Sequence, residues 1–481
     1  VDKFDVIVIG GGPAGVTAAL RARELGANVA LVERTIMGGT CTNDGCSPTR
    51  VLAKAARLIR DAEQFRNYGL VGQPPKVDFL ALQEATRAII GKLHEKKDLT
   101  GHLTSLGITL RTKVGEARFI DEHHIQLGDG TTLEGEKFII CAGGHARHLS
   151  FPGAEHAMTH SDVWSLDRHP KAIAIIGGSA TGCQLASIFA AFDTDVTLLE
   201  LAPRILPMED PVVSQALTEA FGQRGINVVA GMKGIARIEK TSDGLDLFYT
   251  NNDGEQRVTV DGVVMAVGWP GNVDTLNLEA AKVATERSFI KVDDTLRTSQ
   301  EHIFAAGDIT GRMMLVQGAT DEARAAAQNA VLGRKRTHEH RVVPHGGFTD
   351  PEYGSVGLSE PKASEQHDIV VATVPFADLD RAVIDGRGEG FCKLIVSRET
   401  HAILGAHVVG EQAVEIVHIV AALMEAHSTI ERLAQLEIAY PTFAAVVGLA
   451  ARQIMRDLGS TTVSREWGGT SEPRGVEWER S

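Results

Sequence analysis

The chain has few cysteines, an excess of negative over positive charge, and no long apolar run. Five cysteines among 481 residues is an odd number at low density, which argues against a secreted scaffold held by disulfides. The formal net charge of −14 repels nucleic acid and anionic lipid, so neither is an expected partner. No apolar run reaches the roughly 18 residues of a membrane span. The opening "VDKFDVIVIGGG" is too short in apolar residues for a signal peptide and carries glycines where a cleavage region would sit. A cytoplasmic location is therefore expected.

What the chain has in abundance is glycine, 50 residues in all, clustered where strands end. A length of 481 residues suggests about three domains of roughly 150 residues. "FDVIVIGGGPAGVTAALRARELGANVALVER" reads strand, glycine turn, helix, strand. Gly10, Gly12 and Gly15 give the G-x-G-x-x-G spacing, and the second strand ends in Glu33. That spacing is informative here because it follows a strand, opens a helix and has an acid about 20 residues on. Glycines let the backbone approach a pyrophosphate, the helix N-terminus offers unpaired N–H groups, and the acid accepts from a ribose hydroxyl. The pattern returns in "KAIAIIGGSATGCQLASIFAAFDTDVTLLE", with Gly177, Ser179 and Gly182 at the glycine positions and Glu200 closing the second strand. Two such units imply two dinucleotides.

Between the units lies a helical stretch from about Asp78 to Leu106, then short strands ending in "KFIICAGG". "GVVMAVGWPGN" and "EHIFAAGDITG" each read as a strand closing on glycine. From about Val343 the pattern changes to antiparallel strands followed by helices. The last residues lack periodicity and read as a mobile tail.

These features, with "IGGGPAG", "GGTCTNDGC", "IFAAGD" and "FTDPEYGSVGL" as the most specific segments, resemble the pyridine nucleotide–disulfide oxidoreductases of the dihydrolipoamide dehydrogenase and mercuric reductase type. The resemblance covers the chain to about residue 460. It implies an α/β fold with two Rossmann-like dinucleotide-binding domains and a C-terminal α+β dimerisation domain. The expected boundaries are 1–150 and 271–344 for the two parts of the FAD domain, 151–270 for the NAD domain, 345–460 for dimerisation and 461–481 for the tail. FAD falls on the first unit and a nicotinamide nucleotide on the second, with a homodimer as the assembly. Asp308 is then expected at the ribityl and phosphate region of the flavin, with Gly39, Thr40 and Gly143 as further cofactor contacts.

Cys41 and Cys46 are five residues apart. A zinc clip needs further thiolate or imidazole ligands, and no second Cys or His pair is close in sequence. In a regular helix the two Cα atoms would be roughly 8 Å apart, beyond disulfide reach. The backbone must therefore bend, and Gly45 can supply the bend. Ser47 then reads as an N-cap and Pro48 as the first helical residue, leaving Cys46 where the helix dipole favours thiolate. A reactive disulfide is the favoured reading. The resemblance places Cys46 toward the flavin and Cys41 toward the substrate.

Four positions depart from the family pattern. The C-terminal His–Pro with its following Glu, which supplies a base from the partner subunit, is replaced by Tyr440 and Ala445. The Lys near the flavin is Arg50, and the Glu that pairs with it is Gln184, so a guanidinium beside a neutral amide is expected. The aromatic gate over the flavin is Ala180. Asp44 stands between the cysteines, where its carboxylate should raise the thiolate pKa. Glu200 suits the free 2′-hydroxyl of NAD over the 2′-phosphate of NADP, with Arg204 expected to be a solvated arginine. Cys141, Cys183 and Cys392 read as core residues. His338, His340 and His345 read as surface or interface residues, and no metal ligand is expected.

The function expected is an FAD-dependent oxidoreductase passing electrons from NADH through FAD and the Cys41–Cys46 pair to a small-molecule or disulfide acceptor. Electron transfer to a quinone or metal ion, and a non-catalytic flavin redox sensor, stay open as alternatives.

Overall fold

The computed structural model describes residues 1–333 and 335–460, so the expected tail at 461–481 lies outside the described residues. Three principal sheets organise the described residues. The first is built on the parallel strands Thr109–Thr112, Val29–Glu33, Asp2–Ile9 and Thr132–Ile140, in that spatial order. The strand Ile303–Ala305 pairs in parallel with Thr132–Ile140, with Ala305 opposite Ile140. Thus the chain leaves this sheet, builds a second one, and returns to complete the first. The return places "AAGD" beside the first glycine loop.

Its strands are buried on both faces, as parallel sheets covered by helices must be. Val6, Val8, Val29 and Leu31 pack toward helix Pro13–Glu24 and helix Val316–Leu332. Those helices meet through Ala18, Ala19, Ala22, Ala323, Ala326 and Ala330. Small side chains let the two backbones approach closely, which holds the returning segment against the first glycine loop.

The second sheet is also parallel, in the order Asn227–Ala230, Asp195–Glu200, Ala172–Ile176, Gly262–Met265 and Met158–Thr159. A three-stranded antiparallel meander over residues 234–260 covers one side. The third sheet is antiparallel, with Glu352–Gly357, Ile403–Gly410, Phe391–Ser397 and Ile369–Pro375 backed by helices Ala413–Glu425 and Ala445–Asp457. An ion cluster links the segment after the second sheet to the third: the buried Lys393 Nζ lies 2.9 Å from the buried Asp210 and 2.6 Å from the half-exposed Glu360.

Two local expectations are corrected. The helical stretch from Asp78 to Leu106 is two helices, Phe79–Lys97 and Leu99–Ser105, broken at Asp98 with φ +35°. The Asp98 carboxylate accepts from Gly101 N and starts the second helix. The helix after the cysteines begins at Cys46, with Gly45 and not Ser47 as the N-cap and no side-chain cap. Gly45 makes the bend itself, so the turn is complete before Ser47 is reached. No described helix is long and apolar enough to cross a membrane.

Candidate active site

Both glycine loops open on one cleft of about 2250 Å³, which Cys41, Cys46, Thr40, Gly143 and Asp308 also line. In the first loop Gly10 takes φ +112°, and a methyl group there would lie 2.2 Å from the Cys141 carbonyl oxygen. A methyl on Gly15 would lie 1.7 Å from Gly10 O. The helix N-cap is Gly12, without a side-chain cap. The Glu33 carboxylate spans the turn, accepting from Gly11 N at 2.7 Å and Thr35 N at 2.8 Å. The second loop repeats this geometry. Gly177 has φ +107°, a methyl on Gly182 would meet Gly177 O at 1.8 Å, and Ser179 is the uncapped N-cap. Glu200 accepts from Gly178 N at 2.6 Å and Ala202 N at 2.7 Å.

The cysteine segment rests on the first loop. Gly38 and Gly39, with φ +106° and +60°, turn the chain so closely that a methyl on Gly39 would lie 2.8 Å from Gly12 Cα. Cys41 lies in the short helix Gly39–Asn43 and Cys46 opens the next. Both are free thiols that line the cleft. Interaction with Cys41 pushes the Cys46 thiol down to about 7, against the opposing effect of burial. The same interaction drives Cys41 upward, with burial adding to the rise. One thiol is therefore a proton donor and the other a thiolate near neutral pH. Asp44, expected to oppose this, accepts from Ser161 Oγ at 2.7 Å instead. The carboxylate that does act against the Cys46 thiolate belongs to Asp308.

Asp308 is held up from the usual carboxylate range by burial, while Trp269 Nε1 donates to it at 3.0 Å. Gly307 N donates to the buried Glu322 at 2.8 Å. Neither Trp269 nor Glu322 is singled out by the sequence reading. Glu322 had a signal: it falls on the buried stripe of its helix with Ala319, Ala323, Ala326 and Ala330, and an acid on such a stripe needs a partner.

Arg50 and Gln184 are not paired as expected. The Arg50 guanidinium lies 3.7 Å over the Phe348 ring and 3.6 Å from Glu352, whose carboxyl burial pushes up to about 7. Gln184 donates to Ala180 O and accepts from Phe348 N. Phe348, brought in from the C-terminal segment, stands between the two. Ala180 is exposed at the second loop. Arg204 is not solvated: it donates to the carbonyls of Pro207 at 2.8 Å and Glu209 at 2.9 Å and to Ser214 Oγ at 2.5 Å. Tyr440 is exposed, and its hydroxyl donates to Asp380 at 2.5 Å. Cys141, Cys183 and Cys392 are buried. His345 contacts Glu209 at 3.0 Å, whereas His338 and His340 are half-buried residues that lie together with Glu322.

Two dinucleotide cradles facing one cleft, with a thiol pair packed against the first, define a two-nucleotide oxidoreductase. A profile described as pyridine nucleotide-disulphide oxidoreductase matches residues 4–323, and its dimerisation-domain counterpart matches residues 343–451. The chain belongs to this family. It is 31% identical over 461 residues to a mercuric reductase of Staphylococcus aureus, covering 95% of this chain and 83% of the relative. It is 32% identical over 465 residues to a dihydrolipoyl dehydrogenase of Rhizobium etli, covering 92% and 96%. Among solved structures, a Cu(II) complex of the HOCl-induced flavoprotein disulfide reductase RclA from Escherichia coli superposes with a TM-score of 0.84 at 26% identity, covering 94% of this chain and 100% of that one. The family is FAD-dependent and uses pyridine nucleotides.

The residues present fit FAD in the first cradle. Gly10 and Gly15 leave backbone where any side chain would intrude. The uncapped helix at Gly12 offers N–H groups to a pyrophosphate, and Glu33 keeps acceptor capacity for a ribose hydroxyl.

Proposed function

We propose that this chain is a homodimeric, FAD-dependent oxidoreductase that takes electrons from NADH and delivers them through Cys41 and Cys46 to an acceptor. A flavin bound in the first cradle would supply the chemistry that accepts hydride from a nicotinamide and passes two electrons to sulfur. The chain's own residues do the rest. Gly10, Gly12, Gly15 and Glu33 hold the flavin nucleotide, and Asp308, Gly39, Thr40 and Gly143 border it. Gly177, Ser179, Gly182 and Glu200 hold the nicotinamide nucleotide. Two electrons and two protons convert the Cys41–Cys46 disulfide to the dithiol, and the dithiol closes again when the acceptor takes them. Cys46 holds the resting thiolate, and Cys41 exchanges with substrate after passing its proton to Cys46, since only a thiolate attacks sulfur.

The observation that carries this reading is the placement of two free thiols, Cys41 and Cys46, on the cleft that both glycine loops share, with Cys46 pushed down to about 7 by its interaction with Cys41. Glu200, its carboxylate fixed by two backbone N–H groups, favours NADH over NADPH by charge. The test is an anaerobic NADH titration followed by absorbance. A long-wavelength thiolate-to-flavin band should develop and be lost in Cys46→Ser. Full flavin reduction by NADH with no such band in the native protein would defeat the assignment.

A metal ion as acceptor is favoured over a disulfide by one feature. Tyr440 stands where the family's base would be, with its hydroxyl tied to Asp380, and a phenol with pKa about 10 is a poor proton acceptor at neutral pH. Reduction of two Cu(II) ions or of one Hg(II) takes both electrons as the dithiol closes to the disulfide, releases its protons to solvent, and has no leaving thiolate for such a base to protonate. Steady-state comparison of lipoamide, glutathione disulfide, Cu(II) and Hg(II) as acceptors decides between these readings.

A further inference from the structure

Glu322 presents its two oxygens to different partners. Oε2 accepts from Gly307 N, beside Asp308, and Oε1 faces His340 Nε2 at 2.8 Å. His338 packs edge-on against His340, ring centroids 4.6 Å apart and planes at 80°. One ligand atom from each of Glu322, His338 and His340 lies within 4.8 Å of the others. The Glu322 side chain is fully buried and that of His338 is 8% exposed. Among the described residues His338 Nε2 is buried with no hydrogen-bond partner, while its Nδ1 lies 3.7 Å from the Asp321 carboxylate. A buried ring nitrogen without a partner is costly unless something binds it. A histidine whose other nitrogen faces a carboxylate is the usual arrangement of a metal ligand.

We propose that Glu322, His338 and His340 bind a divalent first-row transition metal, with Zn²⁺ as the simplest occupant. Two imidazole nitrogens and one carboxylate oxygen suit zinc, copper or nickel, whereas calcium and magnesium require oxygen ligands. Three protein ligands leave a further position for water or a small anion. The Arg312 guanidinium stands 3.8 Å from Glu322 Oε1 and is fixed by the carbonyls of Asp293 and His338. A bound cation must therefore compete with a fixed positive charge, which bonds to imidazole nitrogen can overcome and a purely ionic contact cannot. The site lies outside the thiol pair and shares its carboxylate with the loop that carries Asp308.

The test uses untagged, flavin-loaded protein with Cys41→Ser and Cys46→Ser, so that no active-site thiol takes up metal. After chelator dialysis it is titrated with Zn²⁺ alone by calorimetry, with metal counted by elemental analysis. One Zn²⁺ per chain is expected, with affinity falling by about 10- to 100-fold or more in His338→Ala and in His340→Gln. No stoichiometric binding, or stoichiometric binding unchanged in both variants, overturns the proposal. Glu322→Gln risks misfolding because that side chain is fully buried, so the histidine variants carry the test. A second measurement needs no substitution at the site. The zinc K-edge absorption of the one-metal protein should show nitrogen and oxygen ligands with imidazole scattering, and a ligand shell without imidazole overturns the proposal equally.

Discussion

The two nucleotide cradles have nearly the same backbone and different surroundings. Gly10 and Gly177 differ by only a few degrees in φ, 112° against 107°. Gly12 and Ser179 take the same extended N-cap conformation, with φ/ψ of −77°/−174° and −84°/−173°. Glu33 and Glu200 fasten their turns by equivalent hydrogen bonds. Yet the first cradle is enclosed. Gly39 presses on Gly12, Gly307 packs against Ala14 and Ala319, and Glu33 is buried. In the second, Ser179 and Ala180 are exposed and Glu200 is half-buried. Loop geometry sets what chemical group is bound, and enclosure sets how long it stays. Under the proposed function, the first cradle would retain its nucleotide and the second would exchange it.

The largest expected effect breaks one cradle at a time. In Gly15→Ala the new methyl meets Gly10 O at 1.7 Å, and in Gly182→Ala it meets Gly177 O at 1.8 Å. The clashes are alike, so the outcomes isolate the role of each site. Gly15→Ala should lower bound flavin per chain by about tenfold or more, consistent with overpacking costs of about 1–3 kcal/mol. Gly182→Ala should keep its flavin absorbance and raise KM for NADH by about tenfold. If both variants lose flavin equally, the division of labour fails.

A smaller effect is expected at the second carboxylate. Glu200→Gln keeps a hydrogen-bonding group but removes the charge that repels a 2′-phosphate. The ratio of kcat/KM for NADH over NADPH should fall by about tenfold, the scale of a charge-assisted contact of about 1.5 kcal/mol. An unchanged ratio would place nucleotide choice elsewhere.

How much of this was legible in the chain depends on the distance between partners. Gly10, Gly15 and Glu33 could be read because one turn and two strands dictate their spacing, and the same rule found Gly177, Gly182 and Glu200. The Cys46 helix start was misplaced by two residues, since a Ser–Pro pair is the stronger local signal and Gly45 bends the chain before it. The Arg50–Gln184 pairing was misjudged because Phe348, 164 residues from Gln184, inserts between them. Trp269 and Glu322 reach Asp308 and Gly307 from 39 and 15 residues away, across a topology that short spacing does not encode. Asp44 was taken for an electrostatic neighbour of the thiols until Ser161 claimed its carboxylate.

The first cradle supports something the second lacks, a thiol pair, and its ionisation gives a further prediction. With Cys46 near 7, alkylation of the reduced protein by iodoacetamide should rise through neutral pH and level off above about pH 8. An ordinary thiol with pKa about 8.5 keeps climbing past that point. The two thiols titrate as a pair, so the first ionisation is the one observed. Cys41→Ser replaces the thiol donor with a hydroxyl and should move the profile. A Cys46 profile that climbs past pH 8 in the native protein removes the thiolate argument.

The smallest functional effect is expected from Arg204, which sharpens the comparison by what it leaves unchanged. Four residues after Glu200, an arginine invites a reading as a phosphate clamp that would turn the second cradle toward NADPH. Its guanidinium is already committed to Pro207 O, Glu209 O and Ser214 Oγ, in the turn whose Leu206 N donates to Gly178 O. Those carbonyls have no strand or helix to satisfy them, so the arginine closes the turn. Arg204→Gln should therefore lower stability by about 1–3 kcal/mol in urea unfolding, the cost of leaving such groups unpaired. Because the turn is hydrogen-bonded to the second glycine loop at Gly178 O, kcat/KM should fall together for NADH and NADPH, with their ratio constant within about twofold. A selective loss of NADPH activity at unchanged stability would mean that the guanidinium leaves its carbonyls to meet a phosphate.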